Sequence, residues 1–232
     1  MMKKTLISMA CAAAMAAPAA QAELSANIGV TSDYLWRGVT QNDHEAAVQG
    51  GIDYSHNFIE GNGSTHGFYT GLWTSTLSSE SDSQELDGYF GFSGEISDLG
   101  YDVGYIYYKY LNQDGADFSE IYGSLSWKWL TGGLAYTVWG EAADTEPFTE
   151  GDLYYYASAA FDLAPLSPML DGWGVGFTAG YYDFDAGSDF DYTQLQMDIT
   201  KSAGDFGDFT LTVANEDLTD DTSLAVSWSK TF

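Results

Sequence analysis

The sequence predicts an all-β fold, a transmembrane antiparallel up-and-down β-barrel of about twelve strands. Three observations lead there. A secretory leader opens the chain, alternating runs of roughly ten residues fill the rest, and the last run stops on an aromatic residue. The leader has a basic start at Lys3 and Lys4, an apolar stretch at 6–20, and an A-x-A site at Ala20-Gln21-Ala22. It predicts cleavage after Ala22, leaving 23–232 as one barrel domain. A lipoprotein reading through Cys11 is disfavoured, because Ser8-Met9-Ala10 is a poor lipobox. Cys11 leaves with the leader, so no disulfide supports the mature chain. No later apolar run is long enough for a membrane helix.

The closing run, Ser223–Phe232, reads S-L-A-V-S-W-S-K-T-F. Leu224, Val226, Trp228, Lys230 and Phe232 share one parity, and small or polar residues hold the other. Side chains of a strand alternate between faces, so one face is bulky and the other small. Trp228 and Phe232 read as an assembly signal for the barrel-assembly machinery, although Lys230 departs from the usual apolar pattern.

The other strands follow in order. Leu24–Trp36 sets Leu24, Ala26, Ile28, Val30, Tyr34 and Trp36 against Asn27, Thr31 and Asp33. Ala46–Tyr54 sets Val48 and Ile52 against Gln49 and Asp53. Gly67–Leu77 is ambiguous, since Phe68 and Leu72 compete with Tyr69, Trp73 and Leu77. Glu85–Ile96 opposes Leu86, Phe90 and Phe92 to Glu85, Asp87 and Glu95. Tyr101–Leu111, Glu120–Leu130, Gly133–Gly140, Leu153–Leu163, Trp173–Tyr182, Tyr192–Lys201 and Phe209–Asn215 complete the set. All four prolines, Pro18, Pro147, Pro165 and Pro168, fall outside these runs, as an unbroken hydrogen-bond ladder requires.

Connection lengths add direction. Those after odd strands are long and acidic, such as E-A-A-D-T-E-P-F-T-E-G-D, whereas S-D-L-G and L-T-G-G after even strands are tight. Outer-membrane barrels have short periplasmic turns and longer outer loops. The Asn57–His66 connection is long and breaks the pattern. Lys109, Lys201 and Lys230 share the apolar parity of their strands, but each lies near a strand end where it can snorkel. Trp36, Tyr107, Trp127, Trp129, Trp173, Tyr181 and Trp228 also fall near strand ends, where barrels place aromatic girdles.

Charge limits the partners. Seven Lys and Arg face 34 Asp and Glu, for a formal net charge of −27. Nucleic acid needs a basic footprint and is excluded; cations are the natural mobile partners. Aromatics make up 16% of the chain, which argues for order rather than an acidic disordered tail. Parity places Asp33, Asp53, Asp87, Glu95, Asp102, Glu120, Asp162 and Asp198 on the lumen face, opposed there by Arg37 and Lys128. Rings of Asp and Glu select cations.

Ser25–His56, with T-S-D-Y-L-W-R-G at Thr31–Gly38 as its most specific part, resembles the opening of the TorF family of porins. G-Y-D-V-G-Y-I-Y-Y at Gly100–Tyr108, G-Y-Y-D-F-D at Gly180–Asp185 and the S-K-T-F ending extend the likeness over nearly the whole mature chain. The resemblance implies a barrel in the outer membrane of a Gram-negative bacterium. It implies no catalytic or ligand residues.

The residues themselves point to no enzyme and to no cofactor or metal. No phosphate loop, zinc spacing or G-x-S-x-G elbow occurs. D-G-A-D-F-S-E at Asp114–Glu120 lacks the spacing of a calcium loop. An outer-membrane hydrolase would need an adjacent Ser and His on one face, and Ser55 and His56 point to opposite faces. The expected function is passive passage of small hydrophilic solutes, cationic or neutral, through a barrel embedded in outer-membrane lipid. A barrel lipase or phospholipase, or a soluble β-sandwich binding module, is the alternative. Twelve strands predict a narrow or plugged lumen.

Overall fold

The computed structural model describes residues 23–61, 63–78 and 83–232; the predicted leader lies outside them. The strands are β1 (Glu23–Thr31), β2 (Leu35–Trp36), β3 (Val39–Thr40), β4 (Ala47–Gly61), β5 (Ser64–Thr76), β6 (Gln84–Ile96) and β7 (Leu99–Leu111). They continue as β8 (Phe118–Trp127), β9 (Leu130–Gly140), β10 (Leu153–Asp162), β11 (Trp173–Asp183), β12 (Tyr192–Ser202), β13 (Asp208–Glu216) and β14 (Asp221–Thr231). Twelve of them, β1 and β4 to β14, form one closed antiparallel barrel; β2 and β3 form a separate two-stranded hairpin. The barrel closes where β1 pairs with β14, Asn27 opposite Thr231 and Val30 opposite Trp228. The Phe232 N–H extends that seam by donating to the Ala26 carbonyl at 2.8 Å.

The two faces are inverted relative to a soluble barrel. Leu24, Val48, Phe90, Phe92, Leu125, Leu195, Leu224 and Val226 are exposed on the outside, while Glu85, Asp87, Glu120 and Asp198 are buried. An apolar outer face and a polar lumen are what a strand-built membrane span requires, because only a closed sheet leaves no unpaired backbone in lipid. Among the described residues no helix is long and apolar enough to cross a membrane.

Aromatic pairs mark the two rims. At the turn end Trp129 stacks on Phe161 at 5.4 Å and Phe206 on Phe209 at 6.0 Å; at the loop end Tyr107 stacks on Trp139 at 5.9 Å. The three lysines of apolar parity end at these rims. Lys109 Nζ reaches Asp117 at 2.5 Å, Lys201 Nζ the Asp171 carbonyl at 2.6 Å, and Lys230 Nζ the Asp205 carbonyl at 2.6 Å.

Three local expectations change. The Asn57–His66 stretch is not a long loop: β4 runs on to Gly61 and β5 starts at Ser64, with a register shift between Asn57 and Ile59. That shift breaks the alternation and hid the strand extension. The ambiguous strand resolves with Tyr69 buried and Phe68 and Leu72 exposed, so its odd residues face inward. The first strand ends at Thr31, not Trp36. There the chain leaves the wall and folds into the lumen, carrying Trp36 away from the girdle expected of it.

Candidate functional site

The bend at the end of β1 is made by short polar side chains that compete with the ladder. Thr31 Oγ1 donates to the Asp33 carbonyl at 2.7 Å, and Ser32 Oγ accepts from Val226 N–H at 2.9 Å. Asn42 fastens the returning arm: its Oδ1 accepts from the Tyr34 N–H at 3.0 Å, and its Nδ2 donates to the Glu45 carbonyl at 2.5 Å. Between these anchors β2 and β3 turn through Arg37 (φ 49°) and Gly38 (φ 85°). Positive φ at both central residues is the pattern of tight hairpin turns of the primed type. A Cβ at Gly38 would lie 2.7 Å from Gln194 Cγ, so the tip is pressed against the opposite wall.

That tip carries the lumen's one strong ion pair among the described residues. Arg37 Nη1 and Nη2 donate to Glu120 Oε1 and Oε2 at 2.8 and 2.6 Å, a two-pronged geometry that suits a guanidinium and a carboxylate. Glu120 also accepts from Tyr108 at 3.1 Å and Tyr182 at 3.3 Å. The guanidinium carbon lies 4.2 Å from the Trp36 ring centre and 4.3 Å from that of Tyr154, adding cation–π attraction in a dry setting. The Gln194 amide, with its nitrogen towards Tyr154, donates to the Arg37 carbonyl (3.2 Å) and accepts from the Gly38 N–H (3.1 Å).

Around this pair the loop-end half of the lumen is packed like a protein core. Trp36 meets Tyr108, Phe118, Phe148 and Tyr182 at 5.7 to 6.2 Å, and Tyr34 packs on Trp73 at 5.6 Å. Beside the hairpin a cavity of about 30 Å³ remains, lined in part by Tyr34, Leu35, Gln49 and Gln196. That is about one water's share of volume.

The turn-end half is different. Tyr69 donates to Asp102 at 2.9 Å and meets the Tyr122 hydroxyl at 2.6 Å, while the Tyr89 hydroxyl bonds Asp53. Asp198 accepts from Thr212 at 2.6 Å and Gln196 at 2.9 Å. The tyrosine rings lie along the wall over inward glycines: a Cβ at Gly104 would stand 2.5 Å from the Tyr122 hydroxyl, and one at Gly133 2.7 Å from the Tyr156 ring. The glycines thus make room for flat tyrosines.

The structure sorts the predicted pore residues into groups. Asp53, Asp87, Asp102, Glu120 and Asp198 sit on barrel strands and point into the lumen. Glu95 and Asp162 have inward parity but lie at the exposed turn-end rim, where Asp162 accepts from the Ala164 N–H at 2.9 Å. Asp33 belongs to the infolded loop rather than to a strand. Arg37 is in the lumen, but on the hairpin. Lys128 is not in the lumen: it occupies the β8–β9 turn with φ 58°, over the Trp127 ring at 4.5 Å. The parity reading extended β8 past Trp127 and so assigned it a face it does not have. Glu85, outside the predicted set, shares parity with Asp87 and is buried with it, whereas alternation alone does not mark the inward tyrosines.

At the mouth, outside the span, His44 Nδ1 meets Asp33 Oδ2 at 2.8 Å and Nε2 lies 3.5 Å from Asp221 Oδ2. The hydrogen bond to Asp33 is the main cause that raises the His44 pKa above its usual 6.5. His44 thus ties the neck of the loop to the first residue of β14.

Solved structures share this architecture. The KdgM porin is 10% identical with a TM-score of 0.53, covering 90% of this chain and 98% of that one. The COG4313 outer membrane channel from Pseudomonas putida F1 is 10% identical with a TM-score of 0.51, covering 93% and 97%. At such identities the likeness shows the fold, that of outer-membrane barrels. No curated protein matches the chain by sequence. The architecture implied by the TorF resemblance is therefore shared with these channels, which do not confirm the TorF name itself. The family model that matches, over residues 15–229, is that of Gcw_chp, described as a bacterial protein of unknown function, and the chain belongs to this family.

Proposed function

We propose that the protein is a porin-like barrel of the outer membrane that passes small hydrophilic solutes, prefers cations, and is obstructed at rest by its first loop. The observation that carries the reading is the composition of the lumen. Asp53, Asp102 and Asp198 point into it, and its only base among the described residues, Arg37, is spent on Glu120. Fixed carboxylates lining a narrow path attract cations and repel anions, and at about 0.15 M salt their field reaches roughly 8 Å, enough to span such a path. A solute must displace or skirt the β2–β3 hairpin, so passage depends on that loop. The outward apolar face suits outer-membrane lipid, and the strand ending on Phe232 suits the barrel-assembly machinery.

Reconstitution in a planar bilayer tests the reading. Rare or small openings with a reversal potential of cation sign across a salt gradient are expected. Replacing Asp53, Asp102 and Asp198 together by Asn should move that potential towards zero. Anion preference, or silence in both wild type and a variant freed of the hairpin, would refute it.

A further inference from the structure

We propose that Glu85 and Asp87 hold a hydrated divalent cation of the magnesium class between the barrel wall and the infolded hairpin. Both leave β6 on its inward face two residues apart, so their Cα atoms are roughly 7 Å from each other. They are 1% and 5% exposed. Glu85 Oε1 accepts from Tyr110 at 3.4 Å, and the Tyr34 hydroxyl of the infolded loop also bonds to this carboxylate. Yet Glu85 Oε2 and Asp87 Oδ1 are buried with no hydrogen-bond partner among the described residues.

Among the described residues nothing facing them supplies positive charge. Across the ladder stand Ser75 and Trp73 of β5 and Tyr110 and Tyr108 of β7. The nearest cation on the hairpin, Arg37, has both guanidinium prongs on Glu120. Two carboxylates buried without compensation are strongly unfavourable, so a counter-ion or protonation must neutralise them. Their joint formal charge matches one divalent ion. Among the described residues no group of three or more His, Cys, Asp and Glu is arranged to hold a metal. That argues against a calcium cage, which needs many protein oxygens. Magnesium keeps several waters and is bound through one or two carboxylates, which is what β6 offers.

The site stands apart from conduction and is tested apart from it. Full-length barrel purified in detergent is titrated with Mn²⁺, which stands in for Mg²⁺ and is visible by electron paramagnetic resonance. The acidic loops contribute weak sites to every variant. Wild type should bind one more Mn²⁺ per barrel than the Glu85→Gln/Asp87→Asn variant, and Mg²⁺ should displace it. Equal stoichiometry, as two protonated carboxyls would give, overturns the proposal. If the double variant does not assemble, Asp87→Asn alone should weaken that tight site at least tenfold, and unchanged affinity overturns it equally. A barrel that binds Mn²⁺ here but carries no current would refute the porin reading and leave this one standing.

Discussion

At the loop end the lumen is filled by side chains from a loop that has folded inward; at the turn end it is walled by tyrosines lying flat over glycines. The first arrangement is tertiary. It depends on Arg37, brought by the hairpin, meeting Glu120, Tyr154, Tyr182 and Gln194 from strands β8 to β12. The second is a property of the wall itself, because register alone sets Tyr156 beside Gly133 and Tyr122 beside Gly104. One half is therefore removable and the other is not. A barrel that opens must do so by losing the first kind of order while keeping the second.

The largest expected effect breaks the loop-end half. Arg37→Ala leaves the Glu120 carboxylate buried and unpaired, a loss of about 3–5 kcal/mol. The hairpin should leave the lumen, raising single-channel conductance and exposing the Val39–Thr40 arm to protease. Replacing the pair together, Arg37→Met with Glu120→Leu, should restore much of the closure, since well-packed apolar substitutes for a buried ion pair are often neutral. Unchanged conductance and protease resistance in Arg37→Ala would show that the pair does not hold the plug.

A smaller effect tests the turn-end half. Gly133→Val pushes the Tyr156 ring off the wall at a cost of ~1–3 kcal/mol, the usual range for overpacking. In the background of Arg37→Ala, where the loop no longer limits flow, it should reduce conductance. If the current is the same with and without the valine, the tyrosine wall does not set the bore.

The smallest effect is on the neck between the two. Because the folded His44 pKa is raised, the charged His44–Asp33 contact contributes fully below about pH 6.5 and is lost as pH rises through the raised value. Loop openings should therefore become more frequent on the alkaline side. His44 is half exposed, so solvent screening keeps the change modest. His44→Gln should flatten the pH profile, and a profile of the same slope in that variant would remove His44 from the neck's control.

The contrast also explains what the sequence made legible. Alternation located the strands to within a few residues except at the ends of β1 and β4, and parity put Asp53, Asp87, Asp102 and Asp198 inward, because wall geometry is local and has period two. Parity failed where the chain leaves the wall. Tyr34 and Trp36 continue the phase of Ile28 and Val30, and an aromatic that packs inside a plug reads the same as one that faces lipid. The polar signals of the departure, Thr31, Ser32 and Asp33 at the bend and Arg37-Gly38 at the tip, were present but resembled a strand followed by a loop. The partner of Arg37 lies 83 residues away, beyond any periodicity argument.

That separation sets an order of events during biogenesis. The hairpin follows β1 and is made before every group that receives its tip, all of which come from β8 or later. Closing so long a loop before its reward exists is entropically unfavourable, so docking must wait until those strands have joined the sheet. Under the proposed function, the newly closed cylinder then stands for an interval without its stopper. Permeability of the envelope to small solutes would then rise with the rate of barrel insertion, and a variant slow to dock its loop would leak during growth even where the finished population is tight.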